Sequence, residues 1–377
     1  MLYLDTAATT YMLPCAVEAF LSAPQGNPSS AHAEGIKARE ALEQARSEIA
    51  SCINAHPSEV FFTSGSTEAC NHALYMLKRY CKNVAFPLYE HHAVIEPASK
   101  PSNLYAIYSQ GFAQMLANNE TGEIYKDIIT ERIEKLTAPN EAEPDELAKK
   151  IERTEKRKGL LFFSDATSAV GHIPVDFKAL DVDYMAFGGH KFGAPKGIGC
   201  LVIKQKAPKT PLITGGGQEQ GLRGGTVSVP LAVSMAAALK YLTANMELHA
   251  KEISMRRDYL IRGIMSQIES AHINGPWTND EVFSRLPNNI NVSFEHLEGT
   301  SLVLMLSNMG FMVSSGSACT SGNFYSSHVL AAMGVPSHIA KGTIRITLPY
   351  GITYQQCDDF LDALKLSVKS LREIGGK

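Results

Sequence analysis

The chain has 377 residues, of which 45% are hydrophobic and 19% charged, with a formal net charge of −3. That length suits about two or three domains with a large core, and the charge balance excludes a disordered tail or a basic nucleic-acid surface. The longest apolar candidate, residues 229–239, contains Pro230 and Ser234 and falls short of the roughly 18 residues a membrane span needs; the N-terminus has no basic region or long apolar run, so the protein is expected in the cytoplasm without a secretory signal.

In chain order, Val60–Thr63 reads as a strand leading into a helix over residues 68–79. Residues 160–163 form a second apolar run just before Ser164-Asp165, residues 184–187 lead into Gly188-Gly189, and residues 200–203 follow Gly197-Ile198-Gly199. This alternation predicts an α/β fold with a mainly parallel central sheet. Ligands in such sheets sit beyond the carboxyl ends of the strands, which directs attention to Ser66, Thr67, Asp165, His190 and Lys191. The polar tract 134–158 places acids before bases, with Pro144 near its start, and reads as a solvated surface helix. Later, short strands at 289–294, 312–314 and 343–348 alternate with helical patterns at 255–270 and 355–371, which predicts a smaller α+β domain. The division falls in a helix over about 229–250, giving a large domain of residues 12–240 and a small one of residues 1–11 and 241–377 that carries Cys319.

Seven cysteines with no C-x-x-C pair disfavour a disulfide framework or a zinc finger, and no metal site is expected. Most read as small buried apolar residues. Cys319 differs, because the run 314–323 is small and polar, with no large apolar side chain until Phe324. A thiol in such a loop is a candidate nucleophile.

Lys191 lies in Gly188-Gly189-His190-Lys191-Phe192-Gly193. It reads either as a surface lysine or as one whose amine, desolvated among glycines, forms a Schiff base with pyridoxal phosphate. That cofactor requires a carboxylate at its ring nitrogen, for which Asp165 is placed, and an anion cradle, for which Gly65-Ser66-Thr67 at a helix start is placed. His32, His92, His172 and His328 lack ligand spacing and read as structural. Residues 215–221 lack the strand and acidic partner of a nucleotide loop.

The chain resembles the cysteine desulfurases of the iron-sulfur-assembly type, pyridoxal-phosphate enzymes of the class V aminotransferase superfamily with fold type I. The matching stretches include Leu4-Asp5-Thr6-Ala7-Ala8-Thr9-Thr10, Phe62-Thr63-Ser64-Gly65-Ser66-Thr67-Glu68, Glu90-His91-His92-Ala93-Val94 and Asn118-Asn119-Glu120-Thr121-Gly122. Asp165-Ala166-Thr167, Gly189-His190-Lys191, Arg223-Gly224-Gly225-Thr226 and Ser314-Ser315-Gly316-Ser317-Ala318-Cys319 follow in the family's order.

The resemblance implies conversion of L-cysteine to L-alanine with a persulfide left on Cys319 for an acceptor protein such as an iron-sulfur scaffold. It implies that Lys191 carries the cofactor and moves the substrate Cα proton, that Asp165 pairs with the ring nitrogen, and that His91 stacks on the ring. Asn119 would contact the cofactor phenolate or the substrate carboxylate, and Ser66, Thr67 and His190 would bind the phosphate. Thr226 would reach the phosphate of the other subunit of a homodimer, and Arg345 would clamp the substrate carboxylate.

The chain departs from the family at Ser168, where a glutamine usually contacts the phenolate, so Ser168 would reach it through water. It departs also at Gly188, where a phosphate-binding serine is usual, and at Gln218, where histidine is usual. The interval from His91 to Asn119 is shorter than the family's, and that from Asn119 to Asp165 longer. Two other readings stay open: another pyridoxal-phosphate lyase or aminotransferase, such as a selenocysteine lyase, and a catalytically weakened scaffold.

Overall fold

Six strands align in one sheet, three of them buried on both faces, as a covered sheet requires. The computed structural model describes residues 1–101, 107–138, 156–277, 285–315 and 327–375. It divides into two units, one of Met1–Thr10, Asn118–Ile124 and Asn245–Lys377, the other of Tyr11–Ala117 and Tyr125–Ala244.

The second unit holds the sheet of six, built from β2 (Val60–Thr63), β3 (Val84–Ala85), β4 (Gln110–Ala113), β5 (Leu160–Asp165), β6 (Tyr184–Gly188) and β7 (Gly199–Ile203). Their order is β2-β7-β6-β5-β4-β3. The pairs from β6 to β3 are parallel, whereas β7 runs antiparallel between β2 and β6. Every residue of β2, β6 and β7 is buried. The helix Ser66–Tyr80 packs Ala69, Ala73, Leu74 and Leu77 into a cluster with Phe61, Phe163, Tyr184 and Leu201. The helices Pro14–Ser22 and Ala33–Cys52 pack against Val229–Ala244.

A buried ion pair ties this unit together at long range. Both side chains are nearly inaccessible, and Glu219 accepts from Arg46 Nη1 and Nη2 at 2.8 Å each while also accepting from the Phe62 amide at 2.7 Å. Arg46 Nη1 also donates to the Val60 carbonyl at 2.7 Å. Glu219 and Gln220 have φ of 50° and 57°, a left-handed turn that non-glycine residues adopt at some cost and that the ion pair holds.

The first unit contains β1 (Leu2–Tyr3), β8 (Ala271–Ile273), β9 (Asn289–Phe294), β10 (Phe311–Met312), β11 (Ser314–Ser315) and β12 (Thr343–Thr347). Four of them form a sheet in the order β11-β12-β9-β8, antiparallel throughout, and β1 pairs in parallel with β10. The core joins Ile290, Val292, Ile344 and Ile346 to Leu260, Ile264, Phe360 and Leu364. The last two lie on Tyr354–Ile374, a helix that starts with a capping box between Thr353 and Gln356.

Two details differ from the sequence expectation. The helix expected over 229–250 is two helices, Val229–Ala244 and Met246–Gln267, because Asn245 leaves helical geometry at φ −115° and ψ 11°. The strand expected at 312–314 is split, residue 312 pairing with β1 and residue 314 with β12, since the chain changes partner at Val313. Most of the polar tract 134–158, including Pro144, and residues 316–326, which include Cys319, lie outside the described residues.

Among the described residues no helix is long and apolar enough to cross a membrane, and no cluster could hold a metal ion. The six described cysteines are free thiols. Replacing Glu219 with alanine leaves Arg46 with Glu43 as its carboxylate partner but strips the buried Phe62 amide of its acceptor, and should cost about 1–3 kcal/mol. Denaturant unfolding of Glu219→Ala beside Glu219→Gln, which keeps an acceptor for the Phe62 amide, checks this, the glutamine variant being the milder.

Candidate active site

In the second unit, β2, β5 and β6 run in the same direction, so their carboxyl ends, and the start of the antiparallel β7, lie on one edge of the sheet. Asp165 ends β5 and pairs in register with Ala186 of β6. Just beyond β6, Gly189–Lys191 forms a single 3-10 turn, and the carbonyl of Lys191 is held at 3.0 Å by His172 Nε2. Glycine is needed at position 189, where a Cβ would come within 3.0 Å of Ala194 Cβ.

Beyond β2, the helix Ser66–Tyr80 starts at Gly65 without any side-chain cap. Its first amides, flanked by the accessible Ser66 and Thr67, therefore remain available to an anion. Gly199 and Gly188 let this helix start lie on the strand ends. A Cβ on Gly199 would come within 2.6 Å of the Gly65 carbonyl carbon, and one on Gly188 within 3.1 Å of Ser66 Oγ and 3.2 Å of the Ser66 amide nitrogen. The position without a hydroxyl, Gly188, is thus covered by the hydroxyl of Ser66.

Asp165 is almost wholly buried; its Oδ1 accepts from the Thr167 amide at 2.9 Å. The buried hydroxyl of Thr167 has no partner among the described residues. Cys70, fully buried beside Asp165, is pushed up by burial and by that carboxylate, so it is an inert thiol. Glu90, also fully buried, accepts from the Met115 amide, and burial with the charge of Asp165 pushes its carboxyl up. Cys70 is thus one of the small buried residues expected of most cysteines, whereas the sequence drew no attention to the carboxyl of Glu90.

His91 Nδ1 accepts from the Ala93 amide at 3.1 Å and caps the helix His92–Ala98, which assigns the proton of the neutral ring to Nε2. Burial, helped by Lys191 and Lys196, pushes His190 down to about 4, so its ring is neutral at pH 7. Ser168 is half-buried and Thr226 exposed. Gln218, at the family's histidine position, uses Oε1 to accept from the Gly225 amide at 3.0 Å. Arg223 then ties this glycine-rich loop to Glu68, in the first turn of the uncapped helix, at 2.9 and 3.1 Å.

In the first unit, Asn118–Ile124 forms a tight turn. Asn118 Oδ1 accepts from the Glu120 and Thr121 amides at 2.8 and 3.1 Å, and Gly122 closes it at φ +77°. Arg345, on β12 and 5% exposed, donates from Nη1 to the Asn119 carbonyl at 3.2 Å and from Nη2 to Asp5 Oδ1 at 2.8 Å. Its buried Nε has no partner among the described residues. Glu120 is buried nearby and accepts from the Ser327 hydroxyl at 2.5 Å; burial pushes its carboxyl up against the pull of Ser327 and Arg345. Arg345 and Asn119 are therefore in contact, through the Asn119 main chain. Cys319 lies outside the described residues.

The donors fit pyridoxal phosphate: an uncapped helix start with two hydroxyls for a phosphate, a buried carboxylate for a ring nitrogen, an orphaned hydroxyl beside it and a lysine on the adjacent strand end. A fold-type-I enzyme of the pyridoxal-phosphate class is the kind of protein that fold and donors define.

The family model for class-V aminotransferases matches residues 2–360. A cysteine desulfurase IscS from Dictyoglomus turgidum is 37% identical, the alignment covering 99% of this chain and 95% of that protein. An IscS-like cysteine desulfurase from Mycobacterium tuberculosis is 34% identical over 99% of this chain and 97% of its own. The solved structure of a NifS-like protein superposes with a TM-score of 0.81 at 31% identity, covering 98% of this chain and all of that one (100%). The chain belongs to the class-V aminotransferase family, in its cysteine desulfurase branch.

Two outcomes follow from the geometry. Gly188→Ala forces Ser66 aside and should cost about 1–3 kcal/mol of stability, a loss that Ser66→Ala in the same chain reduces; thermal unfolding of the single and double variants measures it. Because the folded state holds His190 neutral, the unfolded chain binds the extra proton. The cofactor-free protein should therefore lose stability relative to His190→Gln as pH falls from about 6.5 to about 4, with no further loss below, as a melting-temperature series in pH would show.

Proposed function

We propose that the protein is a pyridoxal-phosphate-dependent cysteine desulfurase that converts L-cysteine to L-alanine and collects the sulfur as a persulfide on Cys319. The observation that carries this reading is the convergence of Ser66, Asp165 and Lys191 on one edge of the six-stranded sheet, the arrangement that resembles the cofactor site of the family.

Pyridoxal phosphate, when bound, supplies an electron sink for charge developing at the substrate Cα. Lys191 holds the cofactor and moves the Cα proton. Asp165, shielded from solvent, holds a proton on the ring nitrogen. The first amides of Ser66–Tyr80, with Ser66, Thr67 and a neutral His190, bind the phosphate, and Thr226 does so for the partner subunit of a homodimer. His91 stacks on the ring and presents its Nε2 proton, while Asn119 and Ser168 serve the phenolate side, Ser168 through water.

Arg345 binds the substrate carboxylate. The Cys319 thiol attacks the substrate sulfur; the carbon–sulfur bond breaks, a sulfur–sulfur bond forms, and Cα and Cβ end protonated as alanine. Cysteine and a thiol enter, alanine and a persulfide leave, and no external oxidant is needed. The persulfide then passes to an acceptor protein, such as an iron-sulfur scaffold, in the cytoplasm.

Alanine formation from L-cysteine by the cofactor-loaded protein, measured beside Cys319→Ser with a reductant present, tests the reading. Wild-type turnover with loss of at least a hundredfold in the variant is expected. Lys191→Ala should lose the visible absorbance of covalently bound cofactor. Wild-type protein that carries cofactor yet yields no alanine would overturn the desulfurase assignment, and turnover surviving Cys319→Ser would point to another lyase of the fold.

A further inference from the structure

Arg345 is held by a carboxylate that the sequence reading passed over. We propose that Asp5 is a positioning residue for substrate recognition: it fixes the Arg345 guanidinium so that the Nε edge is presented to the α-carboxylate of the amino acid. The inference rests on the assignment of Arg345 to that carboxylate.

The placement of Asp5 is over-determined. On one side, Leu2 and Tyr3 pair with β10, and the Leu4 amide donates to the Met312 carbonyl at 2.8 Å. On the other, the Thr347 amide at the end of β12 donates to the Leu4 carbonyl at 2.7 Å, and the Ala7 amide donates to Thr347 Oγ1 at 2.9 Å. Thr6 Oγ1 donates to the Leu348 carbonyl at 3.3 Å and accepts from Asn288 at 3.2 Å. Residues 2 and 3 are thus stitched to β10 and residues 4–7 to the end of the strand that carries Arg345, and Asp5 meets it from a fixed backbone.

Three features make this contact more than a charge neutraliser. The Asp5 contact is at Nη2 and the Asn119 carbonyl at Nη1; both ends of the planar fork are pinned, so the ring of donors cannot rotate. The Nε, buried and the one guanidinium nitrogen without a partner among the described residues, leaves its N–H, beside the second hydrogen on Nη2, for an incoming carboxylate. The other nearby acid, Glu120, is engaged by the Ser327 hydroxyl, so Asp5 is the carboxylate that meets the guanidinium directly. A guanidinium neutralised by Asp5 binds a second carboxylate by directed hydrogen bonds more than by bulk charge, which makes its orientation decisive.

The test uses cofactor-loaded protein and two readouts: KM and kcat for alanine formation from L-cysteine, and the half-saturating concentration at which L-alanine or L-alaninamide perturbs the cofactor absorbance. Alaninamide has no carboxylate. Asp5→Ala should raise KM about tenfold and weaken L-alanine by the same factor, with L-alaninamide unaffected and kcat within about twofold. Asp5→Asn, which keeps the Oδ1 acceptor, should stay within about threefold of wild type on both readouts. Asp5→Glu, too long for the fixed backbone, should weaken L-alanine selectively, and it decides the matter if the alanine variant does not fold. Equal weakening of both ligands, or none, overturns the positioning role. Wild-type protein that responds to L-alanine but makes none from L-cysteine overturns the desulfurase assignment instead, and the titrations still judge Asp5.

Discussion

Two missing side chains set the geometry of the sheet edge. Gly188 and Gly199 face each other across the β6–β7 ladder, and together they leave room for the start of Ser66–Tyr80 to settle on the strand ends. The anion cradle and its neighbour inherit their positions from that approach: the helix amides because they start there, Ser66 because it covers Gly188, and Lys191 because its turn begins where Gly188 ends. The ion pair of Arg46 with Glu219 and the fork of Arg223 on Glu68 brace the same helix start and the loop beside it from below and above. Backbone proximity, more than side-chain reach, builds this half of the site.

The first unit solves its problem differently. There the positions come from a lattice of arginines and amides. Asn289 and Asn291 on β9 donate to the Asn119 and Glu120 carbonyls, and Arg285, fully buried, donates to the Thr121, Asn274 and Pro276 carbonyls. Burial and its neighbour Arg257 push Arg285 down to about 9, so it remains charged at neutral pH with main-chain carbonyls on its Nη1 and Nη2 and no partner on its Nε among the described residues. Each buried donor has few alternatives, and an unpaired one is costly; the turn that carries Asn119 is held by that cost.

Much of this was legible in the sequence. The apolar runs of β2, β5, β6 and β7 announced a covered parallel sheet, and the rule that ligands lie beyond strand ends selected Ser66, Asp165 and Lys191 before any geometry was known. The glycine at position 188 read as a lost hydroxyl, and only the structure showed Ser66 standing over it. Asp5 was hidden because its partner is 340 positions away, and Glu219 because Arg46 is 173 away; no periodicity encodes such pairs. Glu90 was hidden for another reason, since burial beside Asp165, and not residue type, gives it its character. Asn245 breaks an apolar helical pattern that gave no glycine or proline signal.

The antiparallel strand β7 has a consequence for how the protein is made. Since β2 touches only β7, the first strand of the six to be synthesised has no sheet neighbour until residues 199–203 have followed. The helix that follows β2 is likewise without its bed until then, because Gly188 and Gly199 arrive together at the end of the same stretch. The anion cradle is therefore completed only after β5 and β6, which carry Asp165 and lead into Lys191, are already in the chain.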